Sequence, residues 1–287
     1  MVYIVGGGVF GQVIAAKLRS DGHCVTVIDR RESEAGSLPS GGHLKPSWLT
    51  MIPRRDLDKS METLDHLFGM ETLTCLTGIG PLTKKVELLR VDIEKILSNP
   101  TLQANVTRVG NGYLEYTEYT EGQKRSHCRL EGVIIVAAGV WCKQLLPRTC
   151  KNLFAKKGIS FIFTGGASGD ESATPNLIRI WAPYKQIVRT THGPNRTWIG
   201  DGTALLPQNW SDRVEDKIYA RIQSYAPRDF TALVRRRGLR PYLSDSHHDD
   251  LGVVRQIDTH LWVATGGAKS GTALAGVAAN QISEALQ

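Results

Sequence analysis

The chain has 287 residues, 41% of them hydrophobic and 22% charged, with a net charge of +7. That composition excludes an intrinsically disordered chain, and the length is enough to bury a full core. No apolar run reaches the ~20 residues of a membrane span, and the chain opens on a strand, not on a basic and then apolar leader, so a cytoplasmic protein is expected.

Val2–Val5 reads as a strand, and Gly6-Gly7-Gly8-Val9-Phe10-Gly11 follows it at once. Val13, Ile14 and Leu18 then give a helix its apolar face, and Asp21-Gly22 stops it. Cys24–Ile28 is the second strand, with Asp29 and Arg30 at its end. The segment 35–42, ending Ser40-Gly41-Gly42, is a glycine- and serine-rich loop, followed by His43 and Lys45. A helix is expected over 56–68 with Asp56 as its cap, a strand over 86–91, and a short helix over 92–97. Residues 105–131 read as a hairpin or meander, and Gly132–Val136 as a buried strand running into Ala137-Ala138-Gly139.

The middle of the chain is strand-rich: 159–163, 177–181, 187–191 and 197–199, then a helix over 212–225. The end returns to alternation, with a strand over 261–264, a glycine loop over 266–271 and a helix over 272–286. The expected fold is therefore α/β, a Rossmann-like dinucleotide-binding domain with an inserted β-rich substrate domain. Residues 1–70, 86–150 and 236–287 are assigned to the first, and 71–85 and 151–235 to the second.

Gly6-x-Gly8-x-x-Gly11 lies between strand and helix, and Asp29 stands 18 residues beyond Gly11. This is the full dinucleotide fingerprint in context. The glycines allow a tight turn, close approach of a pyrophosphate and helix–strand packing. The helix N-terminus with Val9 and Phe10 faces the anion, and Asp29 accepts from ribose hydroxyls. The alternative is a tight turn with no ligand. The fingerprint alone does not separate NAD from FAD.

The basic clusters, Arg235-Arg236-Arg237 among them, read as solvated faces or as attraction for a polyanion. Five cysteines without a C-x-x-C read as reduced buried thiols, not as a disulfide framework or zinc site. His247-His248-Asp249-Asp250 has the adjacent spacing of a hydrated turn, so no metal is expected.

Gly132–Trp141, Gly238-Leu239-Arg240-Pro241 and Leu261–Thr272, in that order behind the fingerprint, resemble the D-amino-acid oxidase and glycine oxidase family of FAD enzymes. The resemblance spans residues 2–286, in an unusually short member. It implies FAD, bound without a covalent link because no cysteine follows Cys150. It implies that Gly6, Gly8 and Gly11 hold the pyrophosphate, that Asp29 holds the ribose with Arg30 beside it, and that Val106 meets the adenine. Ser40, Gly41 and Gly42 would pass near the flavin, and Ala138 and Gly139 would allow close approach. Gly266, Gly267, Lys269, Ser270, Gly271 and Thr272 would face the flavin pyrimidine. Arg240 would bind a substrate carboxylate, with Lys269 an alternative, and Tyr184, His192 and His43 would line the pocket.

The activity implied is oxidation of a C–N bond in an amine or amino acid, with oxygen as one acceptor. A cap shorter than in typical members, and the positive charge, extend this to an amine tethered to DNA or to another macromolecule. Other readings are a flavin-dependent lyase or decarboxylase, a maturase acting on a partner protein, and a non-catalytic dinucleotide sensor.

Overall fold

The structure is a computed structural model that describes residues 1–31, 33–37, 39–44, 49–50, 52–77, 84–97, 102–120, 123–164, 176–181, 185–191, 196–226, 232–243, 253–268 and 270–287. In chain order the first half carries β1 (Val2–Val5), α1 (Val9–Ser20), β2 (Val25–Asp29), β3 (His43–Leu44), α2 (Arg54–Phe68), β4 (Met70–Thr77), β5 (Lys84–Val91), α3 (Ile93–Leu97), β6 (Leu102–Gly110), β7 (Tyr113–Thr120), β8 (Gln123–Glu131), β9 (Val133–Val136) and α4 (Cys142–Leu145). The second half carries β10 (Leu153–Thr164), β11 (Asn176–Trp181), β12 (Lys185–Thr191), β13 (Arg196–Gly200), α5 (Asp212–Gln223), β14 (Ala232–Leu243), β15 (Val253–Asp258), β16 (Leu261–Thr265) and α6 (Gly271–Leu286).

The described strands form two eight-stranded sheets. The first runs β15-β16-β9-β1-β2-β6-β7-β8. Its centre is parallel: β1 pairs with β2 and β9, and β9 pairs with β16. These strands are buried on both faces, which is why Val133–Val136 and Leu261–Thr265 are nearly uninterrupted apolar runs. Helices α1 and α6 cover one face, and Ile4, Val13, Ile14, Ala275 and Ala279 pack there without exposure. The meander β6–β8 extends the far edge, as the alternation over 105–131 requires.

The second sheet runs β14-β10-β13-β12-β11-β4-β5-β3. Helix α5 covers one face, where Ile218 and Ile222 meet Ile159, Phe161, Phe163 and Ile199. The sheets part from the division expected at residues 86 and 236. β5 pairs with β4 along its full length, and β14 pairs with β10 from Leu153↔Leu243 to Thr164↔Ala232, so both belong to the second sheet. Asp56 does not cap α2: the helix begins at Arg54 behind Pro53, and Asp56 sits in its first turn.

The arginine run is mostly spent on ion pairs. Strand alternation turns Arg235 and Arg237 toward Glu215 of α5, at 3.9 and 2.7 Å, and Arg236 the other way, toward Glu94 of α3 at 2.6 Å. Glu94 also takes Arg196 at 2.6 Å, so one carboxylate ties α3 to β13 and β14. The Arg196 hydrogen bond, helped by Arg236, holds the Glu94 carboxyl down at about 2. A carboxyl depressed on folding stabilises the protein above its unfolded value near 4.5 and loses that contribution as pH falls toward 2. Glu94→Gln should therefore melt below the parent at pH 7, with the gap closing between pH 4.5 and 2. Thermal melts of both proteins across that range check this, and a gap independent of pH would refute it.

Candidate functional site

The opening turn is built by close approach of backbone to backbone. A Cβ on Gly6 would lie 2.5 Å from the Ala137 carbonyl oxygen at the end of β9, and one on Gly11 would lie 1.8 Å from the Gly6 oxygen. No side chain fits at either place, so α1 starts hard against β1. The Asp29 carboxylate braces this turn, accepting from the Gly7 N–H at one oxygen and from the Arg31 N–H at the other, both at 2.5 Å. The Val9 N–H at the start of α1 donates to Ser37 Oγ at 2.9 Å. Sequence reasoning passed over Ser37, and its only signal was a hydroxyl after Gly36 in a loop that had to cross the helix end.

The closing turn meets it from the other end of the chain. Gly266, Gly267 and Ala268 take φ of 86°, 82° and 34°, three left-handed residues in a row, which a glycine pair makes affordable. Gly267 lies against the Phe10 ring, and the Ala268 N–H donates to the Pro241 carbonyl of β14 at 3.2 Å. Thr265 Oγ1 donates to the Gly139 carbonyl at 2.8 Å, tying β16 to the end of β9. Helices α2, α3 and α5 carry an acid in the first turn, whereas α1 and α6 carry none. Both leave a partial positive charge unopposed by their own side chains.

Between the turns lies a cleft of about 500 Å3. Of the residues singled out in sequence, Gly6, Gly8, Val9, Phe10, Asp29, Arg30, Ser40, Gly41, His43, Val106, Ala138, Gly139, Arg240, Gly266, Gly271 and Thr272 line it. Gly11, Gly42, Gly267 and Ser270 lie behind that lining and shape the turns. Lys269, Tyr184, Lys45, His192 and residues 247–250 lie outside the described residues. Arg30 places its guanidinium 4.6 Å from the centre of the Trp141 ring, a second lining residue the sequence did not flag. Beneath the cleft, burial pushes the Cys142 thiol up to about 12, so it stays protonated.

The second sheet makes the facing wall, with Arg240, Trp198, His43, Val188 and Gly200. Arg240 has no hydrogen-bond or ion-pair partner among the described residues. Its guanidinium lies flat over Gly158, where a Cβ would be 3.1 Å from Nη2. His43 meets Trp198 edge-on, with ring centres 4.9 Å apart.

The cleft fits an adenine dinucleotide. Gly139 lines the cleft, and a Cβ there would meet no atom within 4 Å. Backbone N–H groups and two helix ends supply the positive potential a pyrophosphate needs.

Comparison with known proteins agrees with this geometry. Residues 95–285 match the FAD dependent oxidoreductase family, and residues 4–64 match the NAD(P)-binding Rossmann-like domain. No curated protein sequence matches. Among solved structures, glycine oxidase from Bacillus cereus ATCC 14579 superposes with a TM-score of 0.70 at 16% identity, over 100% of this chain and 95% of that one. Iminodiacetate oxidase from Chelativorans sp. BNC1 gives 0.67 at 17%, over 100% and 95%. Glycerol-3-phosphate dehydrogenase from Bacillus halodurans, complexed with FAD, gives 0.68 at 14%, over 99% and 64%. One fold thus serves nitrogen- and oxygen-bearing substrates, and the fold alone does not choose between them.

Gly11→Ala should lower stability by more than about 3 kcal/mol, since the clash is with backbone and cannot relax. Gly139→Ala should cost only about 1 kcal/mol of left-handed strain yet strip the protein of FAD. Melting temperature and flavin content per chain, measured on both variants, separate the two effects. Full flavin content in Gly139→Ala would show that the cradle is elsewhere.

Proposed function

The chain belongs to the FAD dependent oxidoreductase family, and we propose that it oxidises the C–N bond of an amine or amino acid that carries a carboxylate. The observation that carries this reading is Arg240, a guanidinium without a described partner in the wall of a cofactor cleft. A planar fork of donors suits a carboxylate held at two points.

In this reading Gly6 and Gly8 admit the FAD pyrophosphate to the end of α1, and Asp29 orients the ribose. Val106 meets the adenine, and Ala138 and Gly139 leave space for the cofactor. Gly266, Gly271 and Thr272 at the start of α6 face the flavin pyrimidine, with Ser40 and Gly41 nearby. The cofactor dissociates, since no cysteine follows Cys150 and Cys142 is a buried neutral thiol.

The chemistry FAD supplies when bound is acceptance of two electrons. The substrate loses a C–H and an N–H hydrogen as its C–N bond becomes C=N. Water then replaces nitrogen, giving a carbonyl compound and ammonia or a shorter amine, and dioxygen takes the electrons on to hydrogen peroxide. Arg240 orients the substrate by its carboxylate. Its positive charge also disfavours the ammonium form, and the amine must be neutral when hydride leaves. A free substrate fits better than one tethered to nucleic acid, because Arg235, Arg236 and Arg237 face Glu215 and Glu94.

The FAD-loaded protein should bleach under anaerobic conditions with a carboxylated amine. Arg240→Met should keep its flavin and raise KM by about 100-fold, the ~3 kcal/mol of a charge-assisted pair. Failure of every free and tethered amine to bleach a fully loaded protein would remove the C–N assignment.

A further inference from the structure

We infer that Trp198 is the specificity-determining residue of the cleft, a fixed aromatic stop that limits the group a substrate can carry beyond its carboxylate. The inference rests on the carboxylate role given to Arg240 above and concerns the wall facing it.

Strand register puts the two side chains on one face. On β10, Gly158 pairs with Gly238 of β14, and Ser160 pairs with Gly200 of β13. Arg240 and Trp198 each lie two residues along their own strands, so the pleat directs both to the same side. Each then lies back along the sheet over a glycine. The Arg240 guanidinium covers Gly158, and the far edge of the Trp198 indole covers Gly200, where a Cβ would be 2.5 Å from Cη2. Gly158 and Gly200 are two residues and one strand apart. The two groups therefore approach to roughly 8 Å over the sheet. A carboxylate against the guanidinium takes up about half of that. The remainder holds an α-carbon and one small substituent in contact with the ring.

The indole has no room to retreat. Gly200 lies under it. Gly41, in the loop before β3, approaches the same edge, where a Cβ would be 3.1 Å from Cζ2. His43 stands edge-on against the ring, with centres 4.9 Å apart. Trp198 Nε1 is buried with no hydrogen-bond partner among the described residues. An indole held with its N–H unpaired is held by shape, since the unpaired donor costs free energy. A wall fixed by shape discriminates by size. Each excess methylene in such a pocket changes discrimination by about 10-fold or more.

The experiment uses the FAD-loaded protein and three carboxylates that cannot be oxidised: acetate, propionate and benzoate. Their dissociation constants are read from the shift of the flavin absorbance. For the parent, binding should weaken at least tenfold from acetate to benzoate. Trp198→Ala should abolish that decline, and Trp198→Phe, which keeps a smaller ring in the same frame, should reduce it. An unchanged acetate-to-benzoate ratio in folded, flavin-loaded Trp198→Phe and Trp198→Ala overturns the inference, as does a parent that binds benzoate as well as acetate or binds neither. The readout needs no turnover. If the ratio moves while no amine reduces the flavin, the C–N proposal fails and the size stop stands; if amines react and the ratio stays fixed, only the size stop fails.

Discussion

The packing of two helix ends against one another decides most of this structure. α1 and α6 come from opposite ends of the sequence, and both begin at the rim of the same cleft. Neither carries an acid in its first turn, so nothing in the helices neutralises the N–H groups they present. That arrangement is possible because Gly6 and Gly11 let α1 press on β1, and Gly267 lets the closing turn press on Phe10. The parallel order β16-β9-β1-β2 then fixes where the strands end, and a ligand binds outside those ends. Family membership says which ligand, and the backbone shows why an anionic dinucleotide is accepted there.

Much of this was legible in the sequence, where local rules and tertiary structure agree. The fingerprint, the run Val133–Val136 and the run Leu261–Thr265 each combine a strand with a glycine-bearing turn, and each lies in the first sheet. The meander was visible because alternation and turn residues coincide over 105–131. The second sheet was harder to read. β14 holds a run of three arginines, a fourth at Arg240, a glycine and a proline, which read as charge and breaker signals. It is a strand because β10 pairs with all of it, because it lies at an edge where Pro241 needs no donor, and because Glu215 and Glu94 receive the arginines on opposite faces. None of those partners is near it in sequence.

The site follows the same pattern. Residues that act through backbone shape, such as Gly6, Gly8 and Gly139, could be named from motifs. Ser37, Trp141 and Trp198 could not, since each matters through a neighbour distant in the chain. Trp198 needs Gly41, Gly200 and His43 to hold it, and only register brings these together. Arg240 was named from a four-residue motif. Its lack of a described partner, and the bare backbone of Gly158 beneath it, appear only in three dimensions.

The interleaving of the first sheet has a consequence for biosynthesis. β1 and α1 emerge early, but β9 is translated more than a hundred residues later, and β16 and α6 later still. Until Gly266–Leu286 leaves the ribosome, the face of α1 that meets α6 has no cover and the cleft has one rim. A chain that still lacks α6 can therefore neither close the cleft around its cofactor nor shield that apolar surface.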